Sequence, residues 1–125
     1  TFLWQIDTAS TNYDSVEGNA TGALAGSGSI FNISSSTAYS DTFWTTNKTW
    51  TDVFSNFSSS ANWNDIFTSI TGSGLVWDGI KADATGGYGY FTMTSNSLNW
   101  TAVPEVSNLL VGGLLGAGLL RRRRP

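Results

Sequence analysis

The chain has 125 residues, no cysteine, no histidine and a formal net charge of −3. That length suits one domain and a tail, and the missing side chains exclude disulfides, thiolate or imidazole metal sets and Ser-His-Asp or Cys-His nucleophiles. The charge is divided: residues 1–105 carry −7, Lys48 and Lys81 against seven aspartates and two glutamates, and four C-terminal arginines offset it. With no basic patch outside the tail, nucleic acid is not an expected partner, and no cofactor is implied.

Seventeen serines, sixteen threonines, ten asparagines and fourteen glycines sit among six tryptophans, seven phenylalanines and four tyrosines. This is the balance of a β-rich protein with polar turns and an aromatic core. The first residues, Thr1-Phe2-Leu3-Trp4, show neither a starting methionine nor a leader, so the expectation is a mature exported form. Phe2, Trp4 and Ile6 alternate with Leu3 and Gln5, which predicts a strand over 1–7. Residues 8–18 read as polar turn. Within them Asn12 to Gly18 is oxygen-rich but lacks the register of a recognised calcium loop. Residues 22–28 are glycine-rich, and Ile30 to Ile33 predicts a second strand closed by Ser34 to Ser36.

In the middle, Thr49-Trp50-Thr51-Asp52-Val53-Phe54-Ser55 is echoed thirteen residues later by Asn62-Trp63-Asn64-Asp65-Ile66-Phe67-Thr68. Trp50, Val53, Phe54 and Phe57 fall at helical spacing, as do Trp63, Ile66, Phe67 and Ile70. The pattern predicts two short helices with Thr49 and Asn62 as N-caps and Asp52 and Asp65 near the positive helix ends. Trp50, Phe54, Trp63, Phe67 and Ile70 are then core. Capping accounts for both aspartates without a catalytic carboxylate pair.

Strand character returns at Leu75 to Trp77, with Asp78-Gly79 as a hairpin turn into Ile80 to Ala82. Gly86-Gly87 precedes a strand over 88–94, with Phe91 and Met93 on one side and Tyr88, Tyr90, Thr92 and Thr94 on the other. Ser95-Asn96 then turns the chain into a last strand over 97–102. The expected fold is mainly β: a small β-sandwich-like ectodomain over 1–102 with two short central helices, followed by a C-terminal apolar, transmembrane-type helix within 103–125.

The tail orders three features: Val103-Pro104-Glu105-Val106, an apolar run with no polar side chain from Val111 to Leu120, and Arg121, Arg122, Arg123 and Arg124. As a helix, Val106 to Leu120 spans roughly 22 Å, short of the roughly 30 Å of a bilayer core. The arginines cannot cheaply cross a membrane and stop on the cytoplasmic side. Gly112, Gly113, Gly116 and Ala117 form small-xxx-small pairs for close helix packing. This stretch resembles the PEP-CTERM sorting signal of bacterial exported proteins, with Val106 where the family has a second proline. The resemblance implies a membrane-embedded exosortase-like enzyme as partner, a membrane-anchored stage, and residence at the cell surface or in the extracellular matrix.

The resulting expectation is a non-enzymatic surface or matrix structural protein. Two alternatives stand beside it. One is a homo-oligomer or filament packed through the C-terminal helix and exposed β-edges. The other is a polysaccharide-binding module, with exopolysaccharide stacked on Trp44, Trp77 and Trp100.

Overall fold

Alternating apolar residues at the start of the chain find their partners far along it. The computed structural model describes residues 1–104. In it β1 (Phe2–Asp7), β5 (Ser29–Ser35) and β9 (Phe67–Gly72) run parallel and adjacent. Their register sets Phe2 beside Phe31 and Phe31 beside Ile70, with Trp4 beside Ile33. Like residues therefore stack on one inward face. Parallel pairing recurs on two smaller sides: β3 (Val16–Glu17) lies parallel to β7 (Phe54–Ser55), and β4 (Ala23–Leu24) parallel to β8 (Ser59–Ser60). The first sixty residues thus wind as two successive coils, and β9 opens a third turn.

A fold-back covers much of the outer edge of β1. The short β2 (Asn12–Tyr13) pairs antiparallel with Ile6 and Asp7. Just beyond it the Asp14 amide donates to the Gln5 carbonyl at 3.0 Å, and the Asp14 carboxylate accepts from the Gln5 amide at 3.0 Å. Unpaired strand groups are thereby removed from a surface that would otherwise template aggregation.

The second sheet is antiparallel and ordered β10 (Leu75–Trp77), β11 (Ala82–Ala84), β12 (Gly89–Met93), β13 (Leu98–Ala102), β6 (Lys48–Trp50). The hairpins predicted at Asp78-Gly79 and Ser95-Asn96 are present, and a further antiparallel turn at Gly86-Gly87 joins β11 to β12. The first is wider than expected, with Ile80 79% exposed in the turn instead of in the strand. The Asp78 amide donates to the Lys81 carbonyl at 3.0 Å, and the Asp78 carboxylate accepts from the Lys81 and Ile80 amides at 2.8 and 2.9 Å.

Those bonds have a pH signature. Hydrogen bonds from the Lys81 amide, then the Ile80 amide and the Lys81 ammonium, hold the Asp78 carboxyl at about 2, below its ordinary 3.8. Because the folded value is depressed, the stabilisation is present above the ordinary pKa and is lost as pH falls through about 2. A carboxyl-carbon NMR titration is expected to place the Asp78 midpoint near 2, and a midpoint near 3.8 would show that the turn bonds do not persist in solution.

Inward residues of both sheets share one aromatic core. Phe2, Phe31, Phe54 and Phe67 form one cluster, with Phe31 and Phe67 edge-to-face at 5.2 Å. Trp44, Trp50, Phe91, Trp100 and Tyr39 form another, and Trp4 joins the two by meeting both Phe31 and Trp50. Such ring pairs add about 0.5–1.5 kcal/mol each beyond the area they bury.

The two predicted central helices require correction. In the first copy of the repeat Trp50 ends β6 and pairs with Leu98, and Phe54 opens β7 beside Val16. In the second copy one α-helical turn, α1 (Trp63–Ile66), gives way to β9 at Phe67. A separate 3-10 turn spans Thr42–Thr45, with the Phe43 amide donating to the Asp41 carboxylate at 2.9 Å. Thr51, Val53, Phe54, Ser55 and Asn56 are poor helix formers, and strand partners satisfy their neighbours' backbone groups in place of a helix. The predicted burial holds where the predicted helices do not: Trp50, Trp63, Phe67 and Ile70 are buried, and Phe54 packs partly buried against them.

The aspartates also change role. Asp52 sits beyond β6 and accepts from the Tyr13 hydroxyl at 2.6 Å, linking the β2 fold-back to the repeat. That bond first, then burial, raises the Tyr13 pKa. Asp65 lies inside α1 and accepts from Asn62 Nδ2 at 3.3 Å, while the Asn62 side chain makes no cap to the helix. Tyr13→Phe is expected to lower stability by no more than about 1 kcal/mol in a urea titration, because the bond is exposed.

Candidate functional site

Alternation along β13 turns Leu98 and Trp100 inward, away from the partly exposed Asn99 and Thr101. Trp100 is 1% exposed and its indole N–H donates to the Trp44 carbonyl at 2.8 Å. Trp44 is likewise 1% exposed, turned inward by the 3-10 turn and packed on Phe43 and Tyr39. Neither ring has a face free for a sugar. Their assignment to glycan stacking is corrected on that ground: each is more favourable inside, where it removes large apolar area from water. Trp77 ends the edge strand β10 and packs against the core while remaining partly exposed.

The start of the tail is held to the domain. The Val103 amide donates to the Tyr88 carbonyl at 3.0 Å, and the Ala102 amide donates to Asn47 Oδ1 at 2.9 Å. Pro104 follows, exposed. Glu105, Val106, Gly112, Gly113, Gly116, Ala117 and Arg121 to Arg124 lie outside the described residues, as does the predicted transmembrane-type helix. Among the described residues no helix is long and apolar enough to cross a membrane, and no group of three acidic side chains is placed to hold a metal ion. Lys81 bridges Asp78 and Asp83 at 3.2 and 3.5 Å, an exposed arrangement that contributes little to stability.

A concavity lies elsewhere, at the junction of the two sheets. A groove of about 590 Å³ runs between β5 with its following loop, the β9–β10 turn and the β11–β12 turn. Leu3, Ser34, Ser40, Ser73, Thr85 and Tyr88 all line it, and among the described residues no Asp, Glu, Lys or Arg does. One wall is stiffened by hydroxyls bonded to one another: buried Thr8 meets Thr37 Oγ1 at 2.9 Å and Ser36 Oγ at 3.2 Å, and Ser35 Oγ donates to the Thr37 carbonyl at 2.8 Å. The opposite wall is set by the Thr85 amide, which donates to the Gly74 carbonyl at 2.8 Å. Tyr39 also lines the groove while its ring stacks on Trp100 at 5.4 Å, and burial drives its hydroxyl pKa far above the ordinary tyrosine range.

None of the groove residues was singled out from the sequence. The usable signals were the serine run Ser34 to Ser36 and the Gly86-Gly87-Tyr88 turn, but nothing in the linear order says that these meet. Compared with known proteins, the chain matches no family model, no curated protein and no solved structure.

Proposed function

We propose that this chain is a non-enzymatic structural protein of the bacterial cell surface or extracellular matrix, exported and sorted through its C-terminal segment. The reading rests on Val103-Pro104-Glu105-Val106 followed by an apolar run and Arg121 to Arg124, the order of a PEP-CTERM-like signal. In this proposal Val106 to Leu120 is a transmembrane-type stop, the arginines keep the C-terminus cytoplasmic, and an exosortase-like enzyme cuts near Glu105. The position of β13 supports it: that strand ends at Ala102, so a cut after Pro104 leaves every strand among the described residues in place.

Intact-mass analysis of the protein recovered from its native host tests the reading. A C-terminus at or near Pro104 is expected on the surface-exposed form. Recovery of that form with Pro125 intact would overturn processing. Replacing all four arginines by serine is expected to release the protein with its tail uncut, because each arginine contributes about 2.5–3.5 kcal/mol against translocation at a helix centre. Unchanged retention and processing in that variant would show that the arginines do not set the orientation.

A further inference from the structure

We propose that the groove between the two sheets binds a neutral glycan chain, with Tyr88 and Leu3 against the apolar faces of the sugar rings and the free hydroxyls of Ser34, Ser40, Ser73 and Thr85 at their rims.

Charge narrows the ligand first. The domain is strongly acidic, yet among the described residues no ionised side chain lines this groove. An anionic ligand meets no cation there and faces the repulsion of the whole domain; a cationic ligand finds no carboxylate. What the lining offers instead is hydroxyl groups. Ser34, Ser40, Ser73 and Thr85 are exposed, and their side chains make no hydrogen bond within the described residues. The neighbouring Ser35, Ser36 and Thr37 hydroxyls are already spent on the stiff wall. Fixed and free hydroxyls are thus sorted along one groove.

The apolar part is equally placed. Leu3 is 50% exposed on the outer face of β1. Gly86, at φ +101, leaves room for the Tyr88 ring over the turn: an added Cβ would sit 2.5 Å from Tyr88 Cε2. The next bond outward, Val103 to the Tyr88 carbonyl, fixes the same residue from its backbone. A polyhydroxylated ring with C–H faces matches this mixture of aromatic, aliphatic and hydroxyl groups, and the volume lies within the roughly 300–1,000 Å³ of small-ligand sites. Tyr39 adds an observation of its own. It lines the groove at 9% exposure, and its hydroxyl, closed off from solvent, has no hydrogen-bond partner among the described residues.

Affinity electrophoresis of the full-length chain in mild detergent tests the site. The probes are hydroxyethylcellulose, laminarin, galactomannan and dextran, with alginate as the acidic counterpart. At least one neutral polymer is expected to retard the protein, and alginate is not. Thr85→Lys, on an exposed turn, is expected to weaken the retardation roughly tenfold with an unchanged melting temperature. Tyr88→Ala weakens it similarly but also lowers the melting temperature, since that ring packs partly on the core, and Val76→Ala, outside the groove, leaves it as it was. Retardation by none of the four neutral polymers, equal retardation by alginate, or wild-type binding by Thr85→Lys would overturn the proposal. These results do not depend on where the C-terminus is cut, so the groove and the sorting reading fail separately.

Discussion

Trp100→Ala is expected to cost about 3–5 kcal/mol, a large share of the roughly 5–15 kcal/mol that holds a domain of this size. The ring lies 4.8 Å from Phe91, 5.0 Å from Trp44 and stacked at 5.4 Å on Tyr39, so its removal leaves a cavity with aromatic walls that cannot close on one another. It also takes away the indole N–H that Trp44 accepts at its carbonyl, leaving a buried acceptor unpaired. The urea midpoint should fall steeply with little change in m-value. Trp77→Ala is the control, since that ring is partly exposed on an edge strand and should cost clearly less. Equal midpoint shifts for the two variants would contradict the placement of Trp100 in the core and reopen its face to ligands.

Gly89→Ala should be nearly as damaging although it adds a single carbon. A Cβ at residue 89 would sit 2.5 Å from both the Thr101 carbonyl oxygen and Trp100 Cζ2, and the φ of +156 is unsuited to a side chain. Neither neighbour can give way: one is strand backbone, the other the ring at the centre of the core. Overpacking and backbone strain each cost about 1–3 kcal/mol, so a combined loss of about 3 kcal/mol or more is expected. Gly87→Ala, two residues earlier at φ +78 with no atom within 4 Å of the new Cβ, should cost only about 1–2 kcal/mol for its left-handed backbone. Thermal melts of the two variants separate crowding from conformation. Similar losses would mean that β12 and β13 are not as closely apposed as the structure has them.

Which parts could be read from the chain follows from how far apart the partners lie. The antiparallel hairpins were legible because their turn residues, Asp78-Gly79 and Ser95-Asn96, stand directly between the strands they join. The parallel stack was not: Phe2 meets Phe31 and Phe31 meets Ile70, across intervals with no local signal for pairing. Trp50, Val53 and Phe54 show why periodicity misled. Three bulky residues at helical spacing reach one core equally well from a strand, a bend and a second strand, and β-branched and polar neighbours tip the balance to the latter. Trp100 could have been placed inside by its alternation with Asn99 and Thr101. Trp44, in a 3-10 turn, carries no such period. The groove draws Leu3, Ser34, Ser73, Thr85 and Tyr88 from separate segments, so no linear motif announces it.

The pairing of β6 with β13 has a temporal meaning. A chain that emerges N-terminus first, from a ribosome or through a membrane, presents Trp50 long before Leu98, its partner in the sheet. Until then the central tryptophans have no second wall, and the early coils must wait with apolar surface uncovered. The hairpins of β10 to β13 close fast by comparison, from residues close in sequence. The molecule is therefore completed from its late end backward, and the strand that locks it, with Ala102 bonded to Asn47, is the last to appear before Pro104. Emergence of that proline coincides with the first moment at which the whole domain can be shut.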